Sequence, residues 1–135
     1  VCFILGRLIF TNSINRFGGY RVAIACMTIE TCGLILLWLA PSAVYAMIGA
    51  GMTGFGLSLV YPALGVEAVK RVPFSSRGAG LSAYAVFFDL ALAIAGPVMG
   101  AVALNMGYPL IFFSAAVLSV LGLLLVVGLS LRKTV

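Results

Sequence analysis

The sequence predicts an all-α, polytopic membrane protein: a helical bundle of four full transmembrane helices preceded by the end of a fifth. Three observations carry that prediction. Of the 135 residues, 64% are hydrophobic and only 8% charged, whereas a soluble domain needs roughly a quarter charged residues. Lipid therefore has to be the covering solvent. The eight basic residues form three clusters, Arg7, Arg16 and Arg21, then Lys70, Arg71 and Arg77, then Arg132 and Lys133. The apolar stretches between clusters are each long enough to cross a bilayer twice, since one crossing takes about 20 residues. Every cluster thus returns to one side, which the positive-inside rule assigns to the cytoplasm.

The elements follow in order. Residues 1–10 (VCFILGRLIF) are apolar but too short to cross. The chain starts at Val1 rather than Met, so this stub is expected to be the tail of a helix that begins upstream, and the chain a fragment. A polar loop (residues 11–20) carries the breaker Gly18-Gly19. A first span is expected from about Val22 to Leu39, an outer turn at Ala40-Pro41-Ser42, and a second span from Val44 to Gly65, with Pro62 near its inner end. Glu67 to Arg77 reads as the second inner loop. A third span runs from Gly80 to Leu104, with a kink expected at Gly96-Pro97. Residues 105–109 turn outside, and a fourth span runs from Leu110 to Leu131.

Several chemistries are disfavoured. The chain contains no His, which removes the usual catalytic dyads and triads. Cys2, Cys26 and Cys32 fit neither a disulfide framework nor a metal site. No catalytic, cofactor-binding or metal residues are assigned, and no cofactor is expected. The net charge of +5 sits beside apolar spans and outside any nucleic-acid-binding motif, so lipid rather than nucleic acid is the expected partner. Gly49 to Gly54 matches G-x-G-x-x-G literally, but the strand that a dinucleotide site requires does not precede it.

The helical faces carry more. In the second span Gly51, Gly54, Ser58, Tyr61 and Gly65 recur three and four apart, which aligns small and polar side chains on one face. Met52, Phe55 and Leu59 fall on the other side, suited to lipid or larger packing holes. The third span has a longer stripe: Gly78, Ser82, Ala85, Asp89, Ala93, Gly96 and Gly100. Small residues let membrane helices approach closely, so helix packing is the plain reading of both stripes and a solute-lining face the functional one. The fourth span is a Leu/Val run with scattered Gly and Ser, as a peripheral, lipid-facing helix would be.

Two carboxylates lie at membrane depth. Glu30 is roughly 12 Å into the first span at the helical rise, and Asp89 is comparably deep in the third. A carboxylate there costs several kcal/mol unless paired, hydrated or protonated. A proton-coupling or solute-contact site is one reading; a structural ion pair with Arg7, which lies near the same membrane face, is the other.

The loop Asn15-Arg16-Phe17-Gly18-Gly19-Tyr20-Arg21 resembles the inner-loop signature of the major facilitator superfamily, G-x-L-x-D-R-x-G-R-R in outline. Arg16 and Gly18 match its R-x-G and Arg21 a downstream basic residue, while Asn15 stands where the family has Asp. Pro73, Arg77, Gly78 and Ala79 are similar to the inner loop before that family's eleventh helix, and Gly96, Pro97 and Gly100 to its helix-breaking G-P-x-x-G element. The resemblance covers residues 1–135 as the C-terminal part of the transporter domain, from the end of helix eight through helix twelve of a twelve-helix fold. It is similar to sugar-efflux and multidrug-efflux permeases of bacteria.

The resemblance implies a secondary active transporter of a small organic solute or drug, multi-pass in the bacterial inner (plasma) membrane, and Asp89 within a small-residue stripe adds the expectation of proton coupling. Basic loops and C-terminus would be cytoplasmic, and the N-terminal helices of the same transporter would complete the bundle. It makes Thr53, Ser58 and Tyr61 cavity residues and sets Glu30 away from the centre; the pathway candidacy of Asp89 and Glu30 rests on their membrane depth instead. Asn15, Arg16, Gly18, Gly19, Arg21, Arg77 and Gly78 become inner-loop gating residues. The alternative is a small four-span scaffold or subunit that oligomerises through its Gly/Ala faces.

Overall fold

The computed structural model of the chain describes residues 18–132. The apolar stub at 1–10, Cys2, Arg7, Asn15, Arg16 and Lys133 lie outside the described residues. Four helices follow one another: α1 (Gly19–Trp38), α2 (Ala43–Lys70), α3 (Arg77–Met106) and α4 (Tyr108–Arg132), with a 3-10 turn at Phe74–Ser76 before α3. All four are long and apolar enough to cross a membrane. At the α-helical rise they measure about 30, 42, 45 and 37 Å, against a hydrocarbon core of about 30 Å.

The helices alternate in direction, so the described basic residues Arg21, Lys70, Arg71, Arg77 and Arg132 gather at one end. We call this the basic end. The opposite end holds two tight connections. One is Leu39 to Ser42; the other is Gly107 alone, at φ +89°, where a side chain would be strained. Pro109 then enters at the second residue of α4, where a helix does not need its N–H.

Helix α1 is the centre of the bundle, packed by α2 on one side and α4 on another. The core comprises Tyr20, Val22, Ala23, Cys26 and Met27 of α1, Leu59 and Ala63 of α2, and Val126 of α4. Glycines set the α1–α2 distance. A Cβ on Gly33 would stand 2.8 Å from the Gly49 carbonyl oxygen, and one on Gly56 would stand 2.6 Å from that of Cys26. Neither neighbour is a side chain that could swing away, so only glycine permits this approach. On the α4 side, Thr31 and Ser119 share a hydrogen bond of 2.8 Å, and a Cβ on Gly122 would lie 3.0 Å from the Met27 methyl.

Three expectations are corrected. Glu67 to Lys70 is not loop but the last turn of α2, which leaves only residues 71–76 between α2 and α3. A hydropathy-based boundary stops where the bilayer does, whereas a helix ends where its hydrogen bonds do. The face of α2 that packs on α1 carries Gly49, Gly56, Leu59, Ala63 and Glu67 rather than Gly51, Gly54 and Tyr61; Leu59, expected against lipid or in a larger packing hole, fills a packing hole at 1% exposed. Finally, α4 is not uniformly lipid-facing. Ala116, Ser119, Gly122 and Val126 form a seam against α1, while Leu118, Leu121, Leu124 and Leu125 stay exposed.

Helix α3 differs from the others. It meets α2 and α4 only along its edges, and none of its residues is buried. Both Pro62 and Pro97 lie within continuous helices.

Candidate functional site

The basic end is organised around Glu67. Gly18 reaches φ +85° and turns the chain into α1, so the amide of Gly19 points at the end of α2. It donates to Glu67 Oε1 at 3.2 Å, and Lys70 Nζ donates to the same oxygen at 2.9 Å. A helix N-terminus presents unpaired N–H groups and partial positive charge, which suits a carboxylate that is only 4% exposed. One residue on, Arg71 Nη2 donates to the Tyr20 hydroxyl at 2.6 Å and its guanidinium lies 5.9 Å from that ring's centre. A Cβ on Gly19 would sit 2.6 Å from both Ala63 O and Glu67 Cγ.

Gly18 and Gly19, predicted as gating residues, thus adjoin a buried carboxylate in a segment that hydropathy alone assigns to a loop. A signal was available: Glu67 precedes Lys70 and Arg71 by three and four positions, the helical spacing for ion pairs. Of the other gating residues, Arg21 is exposed, and Arg77 opens α3 with its guanidinium 4.9 Å from the centre of the Phe74 ring. A Cβ on Gly78 would meet nothing within 4 Å.

The three predicted cavity residues of α2 part company. Thr53 donates its hydroxyl to Gly49 O at 2.9 Å and sits against Gly33 of α1. Ser58 is 2% exposed and donates to Phe55 O at 2.6 Å. Both hydroxyls are therefore satisfied by their own helix, inside or beside the α1–α2 contact. Tyr61 instead faces α3. Its ring lies 5.1 Å from that of Tyr84 and 4.6 Å from that of Phe88, and the Tyr84 hydroxyl donates to Tyr61 O at 3.0 Å. This aromatic group holds α2 to α3 beside Pro62 and Gly65.

The two membrane-depth carboxylates occupy different surroundings. Glu30 is half-buried on α1, where its Cβ would lie 2.7 Å from a Cβ built on Gly56. Asp89 is exposed on α3, and so are Gly78, Ser82, Ala93, Gly96 and Gly100 of its stripe. A Cβ at Gly78, Gly96 or Gly100 would meet nothing within 4 Å. The stripe therefore faces away from α1, α2 and α4. Among the described residues no ion pair or hydrogen bond reaches either carboxylate, and the predicted pairing with Arg7 lies outside them. A carboxylate in an apolar helix without a partner is suited to taking up a proton or meeting a polar ligand.

The fold and these surfaces define a polytopic helical membrane protein whose third helix carries an uncovered stripe of small residues and a carboxylate. Comparison with known sequences supplies the family: residues 1–134 match the model of the Major Facilitator Superfamily. The chain belongs to that superfamily. It is similar to an uncharacterized MFS-type transporter of Pseudomonas aeruginosa strain UCBPP-PA14, 53% identical over 132 residues, covering 98% of this chain and 33% of that protein. It is also 54% identical over 123 residues to MFS-type transporters of Burkholderia mallei strain SAVP1 and Burkholderia pseudomallei strain 668, covering 91% of this chain and 30% of each. The chain spans about a third of the length of these relatives. No solved structure matches it.

Proposed function

We propose that the chain is the C-terminal part of a secondary active transporter, the end of helix eight through helix twelve, completed by N-terminal helices of the same protein. It moves a small organic solute or drug across the bacterial inner membrane, coupled to protons, with its basic loops and C-terminus in the cytoplasm. Alternating access takes place by rocking of two six-helix halves around a site near the midplane.

The observation that carries this reading is the uncovered face of α3: small residues along its length, with Asp89 at membrane depth and no partner from α1, α2 or α4. Small side chains let another helix or a solute come close, and a carboxylate between them is the group a proton would ride on. The Glu67 network at the basic end ties the start of α1 to the end of α2. Those helices would consequently move as one body when the halves rock.

The test uses the full-length protein in proteoliposomes, with ethidium and a panel of sugars as trial solutes. Asp89→Asn is expected to keep solute-for-solute exchange while losing accumulation driven by an imposed pH gradient. Unchanged gradient-driven accumulation would remove Asp89 from the coupling; absence of any solute flux in the unmodified protein would count against transport of these solutes.

A further inference from the structure

At the basic end a cleft of about 560 Å³ opens between α2 and α3. Its walls are apolar, formed chiefly by Val66, Val69 and Leu81, with Tyr84 deeper in, and its mouth carries Lys70 and Arg77. That volume lies in the range of small-molecule sites, about 300–1,000 Å³. We propose that this cleft binds an anionic phospholipid, its phosphodiester headgroup on Arg77 and Lys70 and an acyl chain along Val66 and Leu81.

Position comes first. Lys70 ends α2 and Arg77 begins α3, so both cations stand where spanning helices leave the hydrocarbon. The apolar wall extends from them toward the membrane centre. Phe74, at the same level, is 83% exposed, an aromatic ring placed at interfacial depth as membrane anchors are. Val66 and Leu81 are themselves exposed on the side of the bundle, which gives a chain lateral entry.

Charge decides the class of lipid. The Arg77 guanidinium rests on the Phe74 ring, a stacking contact that leaves its five N–H donors available for a phosphate. Lys70 shares Glu67 Oε1 but keeps 51% of its side chain exposed, so a second acceptor can reach its ammonium. The nearby carboxylate, Glu67, is buried and already engaged by Lys70 and Gly19. A zwitterionic headgroup would thus bring its own cation to a rim that offers only cations. Basic pockets between membrane helices at this depth suit anionic headgroups. A water-soluble anion would gain the same rim but leave the valine and leucine wall bare.

The test is lipid retention by the full-length protein, read by native mass spectrometry in mild detergent against graded phosphatidylglycerol, phosphatidylcholine or glycerol 3-phosphate. It does not depend on finding a transported solute. Phosphatidylglycerol should be retained in preference to phosphatidylcholine. Arg77→Gln should weaken that retention roughly fivefold, the factor associated with one juxtamembrane cation. Leu81→Trp, which fills the slot without changing charge at a half-exposed position, should weaken it as much, and Arg132→Gln, on α4, should leave it unchanged. If Arg77→Gln does not fold, Leu81→Trp carries the test alone. The proposal is overturned if Leu81→Trp retains phosphatidylglycerol as well as the unmodified protein, or if phosphatidylcholine is held equally. Displacement by glycerol 3-phosphate would overturn it in favour of a soluble anion. Absent retention, with Leu81→Cys shielded from maleimide, would overturn it in favour of another segment of the chain.

Discussion

At the scale of single residues, the glycines of this chain fall into two groups that a sequence does not distinguish. Gly33 and Gly56 face backbone carbonyls at distances no methyl group tolerates, whereas Gly54 and Gly96 face open space. Gly56→Ala should therefore lower stability by about 1–3 kcal/mol, the usual cost of overpacking, read as a drop in the unfolding midpoint in detergent. Gly54→Ala should not, so equal losses at the two positions would contradict the α1–α2 contact. Glu67 makes a second residue-scale case. Glu67→Gln keeps an acceptor for the Gly19 amide, while Glu67→Ala removes it and leaves that amide buried. The alanine variant should be the less stable of the two by about 1–3 kcal/mol, the penalty of an unsatisfied buried donor, in the same melting assay. Equal melting would mean that the Gly19 contact contributes nothing.

At the scale of elements, the spans and their order were legible because hydropathy and length are enough to define a crossing helix. Register between helices was not. Helix α2 carries small residues at 49, 51, 54, 56 and 58, so more than one face qualifies as a close-packing surface. The choice is made by the partner: Gly33 on α1 admits Gly49, and Cys26 with Glu30 admits Gly56. The aromatic contact of Tyr61 with Tyr84 and Phe88 was equally hidden, because it joins residues on different helices. In α4 the scattered small residues of the sequence become a seam once α1 is beside them. Its strongest polar element is the Thr31–Ser119 hydrogen bond. A double-mutant cycle of Thr31→Val and Ser119→Ala should give a coupling of about 0.6 kcal/mol, the average for such bonds in membranes. Zero coupling would mean that α1 and α4 do not meet in this register.

At the scale of the whole molecule, the bundle has two kinds of exposed surface. Helix α4 shows Leu118, Leu121 and Leu125, whose large apolar side chains suit lipid. Helix α3 exposes Val86, Phe87, Leu90 and Ile94, but also a stripe of Ser82, Asp89, Ala93, Gly96 and Gly100, which gives lipid little to pack against and includes a carboxylate. If the proposed function holds, equal exposure in this chain hides unequal roles, since the relatives are about three times as long. If the α3 stripe meets the opposing half or the solute, bulk there should be harmful, whereas bulk on the lipid side of α4 should be absorbed by the bilayer. Ala93→Trp in the full-length protein should abolish solute flux, and Leu121→Trp should leave most of it, with both measured at matched membrane expression. The reverse order, or equal tolerance, would place the α3 stripe against lipid and remove the support it lends to proton-coupled transport.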